Sequence, residues 1–235
     1  MTPDPKDGKK HPAILWITGG DCNSIGDIWT DEDPLNEQNA SAYRKAGIVM
    51  MVPSFRGGNT NPGKREGFLG EVDDVIAAHA YLASLPYVNP THIYLGGHST
   101  GGTLALLVAE STDMFRAIFS FGPMSNPYWY WDYVYCDTKN ESEMKLRRPI
   151  EWLEGISRPT FVFEGDDKPG NALHLLWLKG RNKNAKVQFF MVKNCDHFTI
   201  LDPVNRLVAS RILKDSGPQS TLAFTDAELA RLFSE

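Results

Sequence analysis

Cysteine is scarce in this chain of 235 residues: Cys22, Cys136 and Cys195 are all there are. An odd number without metal-type spacing excludes a disulfide framework and fits a reducing compartment, so the expected location is cytoplasmic. The six histidines, His11, His79, His92, His98, His174 and His197, form no H-x-x-x-H or H-x-H pair. No metal and no cofactor is therefore expected. Positive charge is also in short supply, with 24 Lys and Arg against 29 Asp and Glu and a formal net charge of −5. That leaves no electrostatic case for nucleic acid or an anionic membrane surface as partner. No apolar run is long enough for a transmembrane helix. Residues 1–10 include lysines but no apolar stretch behind them, so they do not read as a signal peptide. Internal repeats and low-complexity segments are absent as well.

What remains is an ordinary globular composition, 42% hydrophobic and 23% charged, in a length that one domain can fill with a large core. The expectation is a single domain over residues 1–235. Short apolar β-prone runs alternate with helical patterns. Strands are expected at Ala13–Thr18, Ile48–Val52, His92–Gly96, Ala117–Phe121, Phe161–Glu164 and Val187–Val192. Helices are expected over Glu37–Ala46, Glu71–Leu85, Gly102–Ala109, Ala172–Leu178 and Pro203–Leu213, with a capping box at Thr225–Glu228 opening a last short one. Residues 126–154 read as a lid insertion. Alternating strands and helices imply a mostly parallel sheet with helices on both faces.

The stretch Gly97-His98-Ser99-Thr100-Gly101 stands between the His92–Gly96 strand and an apolar helical run. Strand, sharp turn and helix is the setting a G-x-S-x-G nucleophile elbow needs. Ser99 at its tip is the candidate nucleophile, and the Thr100 amide is one candidate oxyanion donor. The Gly19-Gly20-Asp21 turn after the first strand offers the other, from Gly20 or Asp21. The bland alternative makes Ser99 a helix N-cap.

Two later strands end in candidate partners. Phe161-Val162-Phe163-Glu164-Gly165-Asp166-Asp167 brings acids to a strand's carboxyl end, and Asn194-Cys195-Asp196-His197 follows the last strand. Ligand crevices of open α/β sheets lie at those ends. His197 is the candidate base. Asp167 is the expected orienting acid, with Asp166 as the alternative and Glu164, still within the strand, a distant third. Cys195 beside His197 invites a cysteine-nucleophile reading, but no helix stands behind it. Asp196 and Asp202 are expected as a turn residue and a helix N-cap. Arg56 reads as a salt-bridge partner in a loop. The run from Tyr128 to Tyr135 supplies Tyr128, Trp129 and Trp131 as candidate substrate-binding residues, an apolar wall for an acyl or alkyl group.

Gly19-Gly20, Phe55-Arg56-Gly57-Gly58, Gly97-His98-Ser99-Thr100-Gly101-Gly102, Gly165-Asp166-Asp167 and Asp196-His197-Phe198, in that order, resemble the α/β-hydrolase fold. More narrowly they are similar to the prolyl-oligopeptidase-type catalytic domain and its esterase relatives, over about residues 12–213. The resemblance implies a sheet of about six strands without that group's usual amino-terminal antiparallel hairpin. It also carries three departures. No propeller domain is legible before residue 12. Thr100 stands where the peptidases usually carry tyrosine, and the strand before Gly19 holds no tyrosine for the oxyanion. Lys168 occupies the family's usual acid position, three residues after the glycine.

The resemblance implies a cytoplasmic serine hydrolase cleaving small carboxylic esters through an acyl-enzyme. The alternatives are a peptidase on short peptides and a non-catalytic small-molecule binder of the same fold. The apolar, uncharged run Ile48–Val52 is expected at the sheet edge, where an exposed strand could pair with a second copy as a homodimer, or be covered by residues 1–12 or the carboxyl-terminal helix.

Overall fold

Each apolar run becomes a strand, and every neighbouring pair runs parallel. The computed structural model describes residues 1–23, 28–133 and 135–234. Its strands are β1 (His11–Ile17), β2 (Val49–Met51), β3 (Val88–His98), β4 (Ile118–Phe121), β5 (Thr160–Gly165) and β6 (Val187–Val192). They form one sheet in the order β2-β1-β3-β4-β5-β6. Alternation along β1 explains why its residues are continuously apolar: Ala13, Leu15 and Ile17 feed one core, Ile14 and Trp16 the other. The first core is closed by α2 (Gly70–Ser84), α3 (Thr100–Ser111) and α5 (Ala172–Arg181). The second is closed by α1 (Ser41–Lys45), α6 (Leu201–Ile212) and α7 (Asp226–Arg231). Both faces are thus covered by helices, as the alternation predicts. The order β1-β3-β4-β5-β6 lines up the carboxyl ends that carry the candidate residues.

Several elements differ locally from expectation, three of them for a plain physical reason. The helix expected over Glu37–Ala46 is shorter, because Ala40 takes a left-handed conformation (φ 48°) and the Glu37 carboxylate accepts the Ser41 amide at 3.0 Å, starting α1 only there. β3 begins four residues earlier than His92. Val88 pairs with His11, and a register shift before Ala13↔Ile93 accommodates Pro90. α6 begins before Pro203, which sits in the first turn where its missing N–H costs nothing. Asp202 is accordingly not the N-cap. It lies within that turn and binds Arg206 at 2.9 Å.

Between β4 and β5 the chain makes a 3-10 turn over Pro127–Tyr133, then α4 (Glu141–Leu146) and two further 3-10 turns. β2 lies at the edge as expected. Its outer position is taken by Thr2, whose amide donates to the Met50 carbonyl at 2.9 Å and whose hydroxyl accepts the Met50 amide at 2.8 Å. Among the described residues no helix is long and apolar enough to cross a membrane.

Candidate active site

The turn from β3 into α3 holds Ser99 at φ 57°, ψ −114°, a conformation disfavoured for any residue with a Cβ. Its neighbours are glycines because nothing larger fits. A Cβ on Gly97 would lie 2.4 Å from the Gly101 carbonyl oxygen, and one on Gly101 would lie 2.2 Å from that of Ile17. The Ser99 amide donates to Phe121 at 2.8 Å, which pins the turn to the end of β4. The Ser99 side chain makes no capping bond to α3. Thr100 is the first residue of α3, so its amide has no acceptor within the helix and sits at the positive end of the helix dipole.

His197 lies in the loop after β6, buried, with its amide donating to Pro169 at 3.0 Å. Asp196 is the turn residue expected of it, accepting the amides of Phe198 and Thr199 at 2.9 and 2.8 Å. The carboxylate facing His197 is Glu164. Its Oε2 is 2.9 Å from His197 Nδ1, accepts the Asn171 amide at 3.1 Å, and its Oε1 accepts the Gly165 amide at 2.9 Å. A carboxylate only accepts, so the His197 proton sits on Nδ1 and the Nε2 lone pair is left open.

The expectation of Asp167, or of Asp166, in this place is corrected. Both are exposed beyond the end of β5. Asp166 instead accepts the Asn194 amide at 3.1 Å, and the Asp167 amide donates to Cys195 at 3.0 Å. Glu164 reaches His197 because its side chain is one methylene longer than that of aspartate and leaves the last turn of a strand buried on both faces. The signal was in the sequence: an acid inside an otherwise apolar strand must find a partner, since an unpaired buried charge is too costly. Gly122 makes room for the pair. It has φ +56°, and a Cβ there would stand 2.3 Å from His197 Cε1 and 2.7 Å from Glu164 Oε2.

His98, beside Ser99, ties the elbow to the histidine loop. Its ring centroid is 4.4 Å from that of His197, and its Nε2–H donates to the His197 carbonyl at 3.1 Å. Burial, with the neighbouring His197, holds His98 well below the usual imidazole range, so it stays neutral. The Gly19-Gly20 turn also adjoins the serine: a Cβ on Gly19 would lie 3.4 Å from Ser99 Cβ. Gly20 follows at φ +67°, and Asp21 pairs with Arg65 at 3.2 Å.

Of the described side chains in the aromatic run, the one brought near the serine is Tyr130. It is buried, stacks on Phe68 (5.5 Å between centroids), and bonds Thr103 Oγ1 at 3.1 Å, the same hydroxyl lying 3.1 Å from the Ser99 carbonyl oxygen. Tyr128 is half-buried against Trp129, a residue 54% exposed. The side chain of Trp131 lies outside the described residues. Cys195 is buried and its thiol is pushed up to about 12 by burial and the nearby acids, which disfavours a thiolate nucleophile. Arg56 is a salt-bridge residue, bound to Asp74 at 2.9 Å and Glu66 at 3.0 Å. Among the described residues no group of three His, Cys, Asp or Glu is placed to hold a metal.

A profile of the prolyl oligopeptidase family matches residues 35–169, more than half of the chain and including the Ser99 elbow. The chain belongs to the prolyl oligopeptidase family. Dipeptidyl peptidase 8 of Mus musculus and that of Homo sapiens are each 24% identical over 185 residues, covering 75% of this chain and 20% of theirs. This prolyl oligopeptidase family member thus spans about a fifth of the length of those relatives. Among solved structures, dipeptidyl peptidase 4 of Porphyromonas gingivalis superposes with TM-score 0.67 at 18% identity, over 88% of this chain and 32% of that one. An esterase of Pyrobaculum calidifontis superposes with TM-score 0.65 at 17% identity, over 90% of this chain and 79% of that one. At these identities the likeness is one of fold, the α/β-hydrolase fold expected from the elbow and the strand order.

Proposed function

We propose that this chain is a serine hydrolase that cleaves small carboxylic esters, with Ser99 as nucleophile, His197 as general base and acid, and Glu164 as the orienting carboxylate. The observation that carries it is the 2.9 Å contact from Glu164 Oε2 to His197 Nδ1, beside a serine held at φ 57° on an elbow. With its proton fixed on Nδ1, His197 Nε2 accepts the Ser99 hydroxyl proton as Oγ attacks the ester carbonyl. The oxygen of the tetrahedral intermediate is met by the Thr100 amide and by the amide of Gly20 or Asp21. Collapse expels the alcohol, which takes the proton from His197 Nε2. Water, deprotonated by the same nitrogen, then attacks the acyl-Ser99 ester and releases the acid.

The ester reading rests on the oxyanion side. An amide leaving group demands more stabilisation than an activated ester, and one donor is worth about 3 kcal/mol, roughly a hundredfold in rate. Here the turn beside Gly19 offers backbone amides and no tyrosine. A peptidase on short peptides is the second reading, supported by the names of the dipeptidyl peptidase relatives.

The test is labelling with an alkyl fluorophosphonate, followed by a panel of p-nitrophenyl esters, thioesters and prolyl or alanyl p-nitroanilides. Labelling of the parent, none of Ser99→Ala, and kcat/KM for the best ester far above that for any anilide support the reading. Comparable anilide cleavage favours the peptidase. Absence of labelling makes the chain a non-catalytic binder.

A further inference from the structure

Phe68 is a bulky residue in a left-handed conformation (φ 64°), and it follows Gly67, itself at φ +63°. A side chain in that region costs free energy and persists only where its surroundings hold it. Here they do so from two sides. The buried Glu71 carboxylate accepts the amides of Glu66, Gly67 and Leu69 at 2.8, 3.1 and 3.2 Å. The buried Arg147 guanidinium donates to the carbonyls of Gly67 and Glu66 at 2.7 and 3.1 Å. The clamp aims the Phe68 ring onto Tyr130, stacked at an interplanar angle of 22°, and Tyr130 in turn bonds Thr103, whose hydroxyl also lies against the Ser99 carbonyl.

On its other side Phe68 lines a groove of about 980 Å³, whose lining includes neither Ser99 nor His197. The groove floor is apolar, with Leu69, Val72, Ile76, Leu107 and Leu146. Its charged lining is mostly acidic, from Glu66, Asp73, Glu151 and Glu154, while Arg56 is already bound to Asp74 and Glu66. A second, very small cavity of about 20 Å³ also touches Phe68, between Gly20, Cys22 and Leu104. The Phe68 ring, with Tyr130 stacked on its other face, therefore stands between the Ser99 elbow and this groove.

We propose that Phe68 is a specificity-determining residue: a clamped ring that holds Tyr130 in place and, with it, closes the acyl side of the Ser99 site off from the groove behind. This rests on the hydrolase reading. Its consequence is a steep size limit, with acetyl and other short acyl groups accepted and extended aliphatic ones refused. With the wall removed, the groove would admit extended neutral or amine-bearing acyl groups. Its acids would still repel acyl groups ending in a carboxylate.

The test compares kcat/KM for p-nitrophenyl acetate and p-nitrophenyl octanoate, each protein being checked for fluorophosphonate labelling and cooperative melting. The parent should strongly favour acetate. Phe68→Ala should raise the octanoate-to-acetate ratio by about tenfold or more, the discrimination one pocket contact commonly carries. Adding Leu146→Trp, which fills the groove, should take the gain back. Because loss of a buried ring can unfold a chain, Phe68→Leu serves as the milder variant, with a smaller rise expected. A parent that cleaves octanoate as well as acetate overturns the proposal without any variant. So does a folded, labelled Phe68→Ala with an unchanged ratio, or a gain that Leu146→Trp leaves in place. Failure of the parent to label overturns the hydrolase reading itself, a different outcome from an unchanged ratio.

Discussion

Glu164 Oε2 and His197 Nδ1 stand 2.9 Å apart, one at the end of β5 and one in the loop after β6. The carboxylate belongs to a strand whose six residues are all buried, so its position is set by the sheet and not by a loop. The contact decides the tautomer of His197: the proton sits on Nδ1 and the Nε2 lone pair is left open.

Gly122 is where this arrangement is most sensitive. Gly122→Ala places a methyl group where His197 Cε1 and Glu164 Oε2 now approach, and does so at φ +56°. The pair must separate by an ångström or more, and displacement on that scale commonly costs about a hundredfold in rate. Ester turnover should fall by about that factor with the protein still folded by circular dichroism. A variant within twofold of the parent would mean that this contact does not position His197 for the reaction.

Glu110 gives a pH-dependent prediction about stability. Both its carboxyl oxygens are buried without a hydrogen-bond partner, and burial holds its pKa well above the usual carboxylate range. In the unfolded chain the group ionises near pH 4.3, while in the folded chain burial lets it keep its proton to higher pH. The unfolded state thus binds fewer protons, and stability falls as pH rises above about 4. Glu110→Leu should raise the melting temperature at pH 8, by a few degrees if about 1 kcal/mol is regained. The advantage should shrink as pH is lowered to 4. An advantage that does not vary with pH would contradict this reading of Glu110.

The β2 edge bears on self-association. Met50 is the residue of this three-residue strand whose backbone groups are taken up by Thr2, through both its carbonyl and its amide. With that position occupied, a second copy must displace Thr2 to add a strand there. Light scattering at micromolar concentration should give a mass near 26.3 kDa. A mass near twice that value would show that a homodimer forms in spite of Thr2, and Thr2→Pro, which removes the donor amide, should then strengthen it.

Much of this was legible in the residues alone. The continuous apolar runs of β1, β4 and β5 predict strands buried on both faces, and the Gly97–Gly101 pattern predicts an elbow because each glycine answers a steric demand that backbone geometry makes. β6 matches its predicted bounds residue for residue, since polar turns flank it on both sides. The acid was misplaced for a physical reason. Spacing from Gly165 favours Asp167, but side-chain reach and burial decide, and those favour Glu164. Tyr130 and Phe68 escaped for another reason. The stack joins residues 62 positions apart; Tyr130 sits in the aromatic run but nothing in the run singles it out, and Phe68 carries no local pattern that distinguishes it from an ordinary core aromatic.

The most direct measurement is a side-by-side determination of kcat/KM for p-nitrophenyl acetate in Glu164→Gln, Asp166→Asn and Asp167→Asn. Glutamine at 164 keeps the shape and removes the charge that holds the His197 proton on Nδ1. Loss of a triad acid by such an isostere costs on the order of 10⁴ in kcat where it has been applied to this arrangement. Glu164→Gln should therefore lose on the order of a thousandfold or more, with Asp166→Asn and Asp167→Asn within a few-fold of the parent. A Glu164→Gln protein that keeps near-parental activity, or a larger loss at Asp167 than at Glu164, would contradict the Ser99–His197–Glu164 relay.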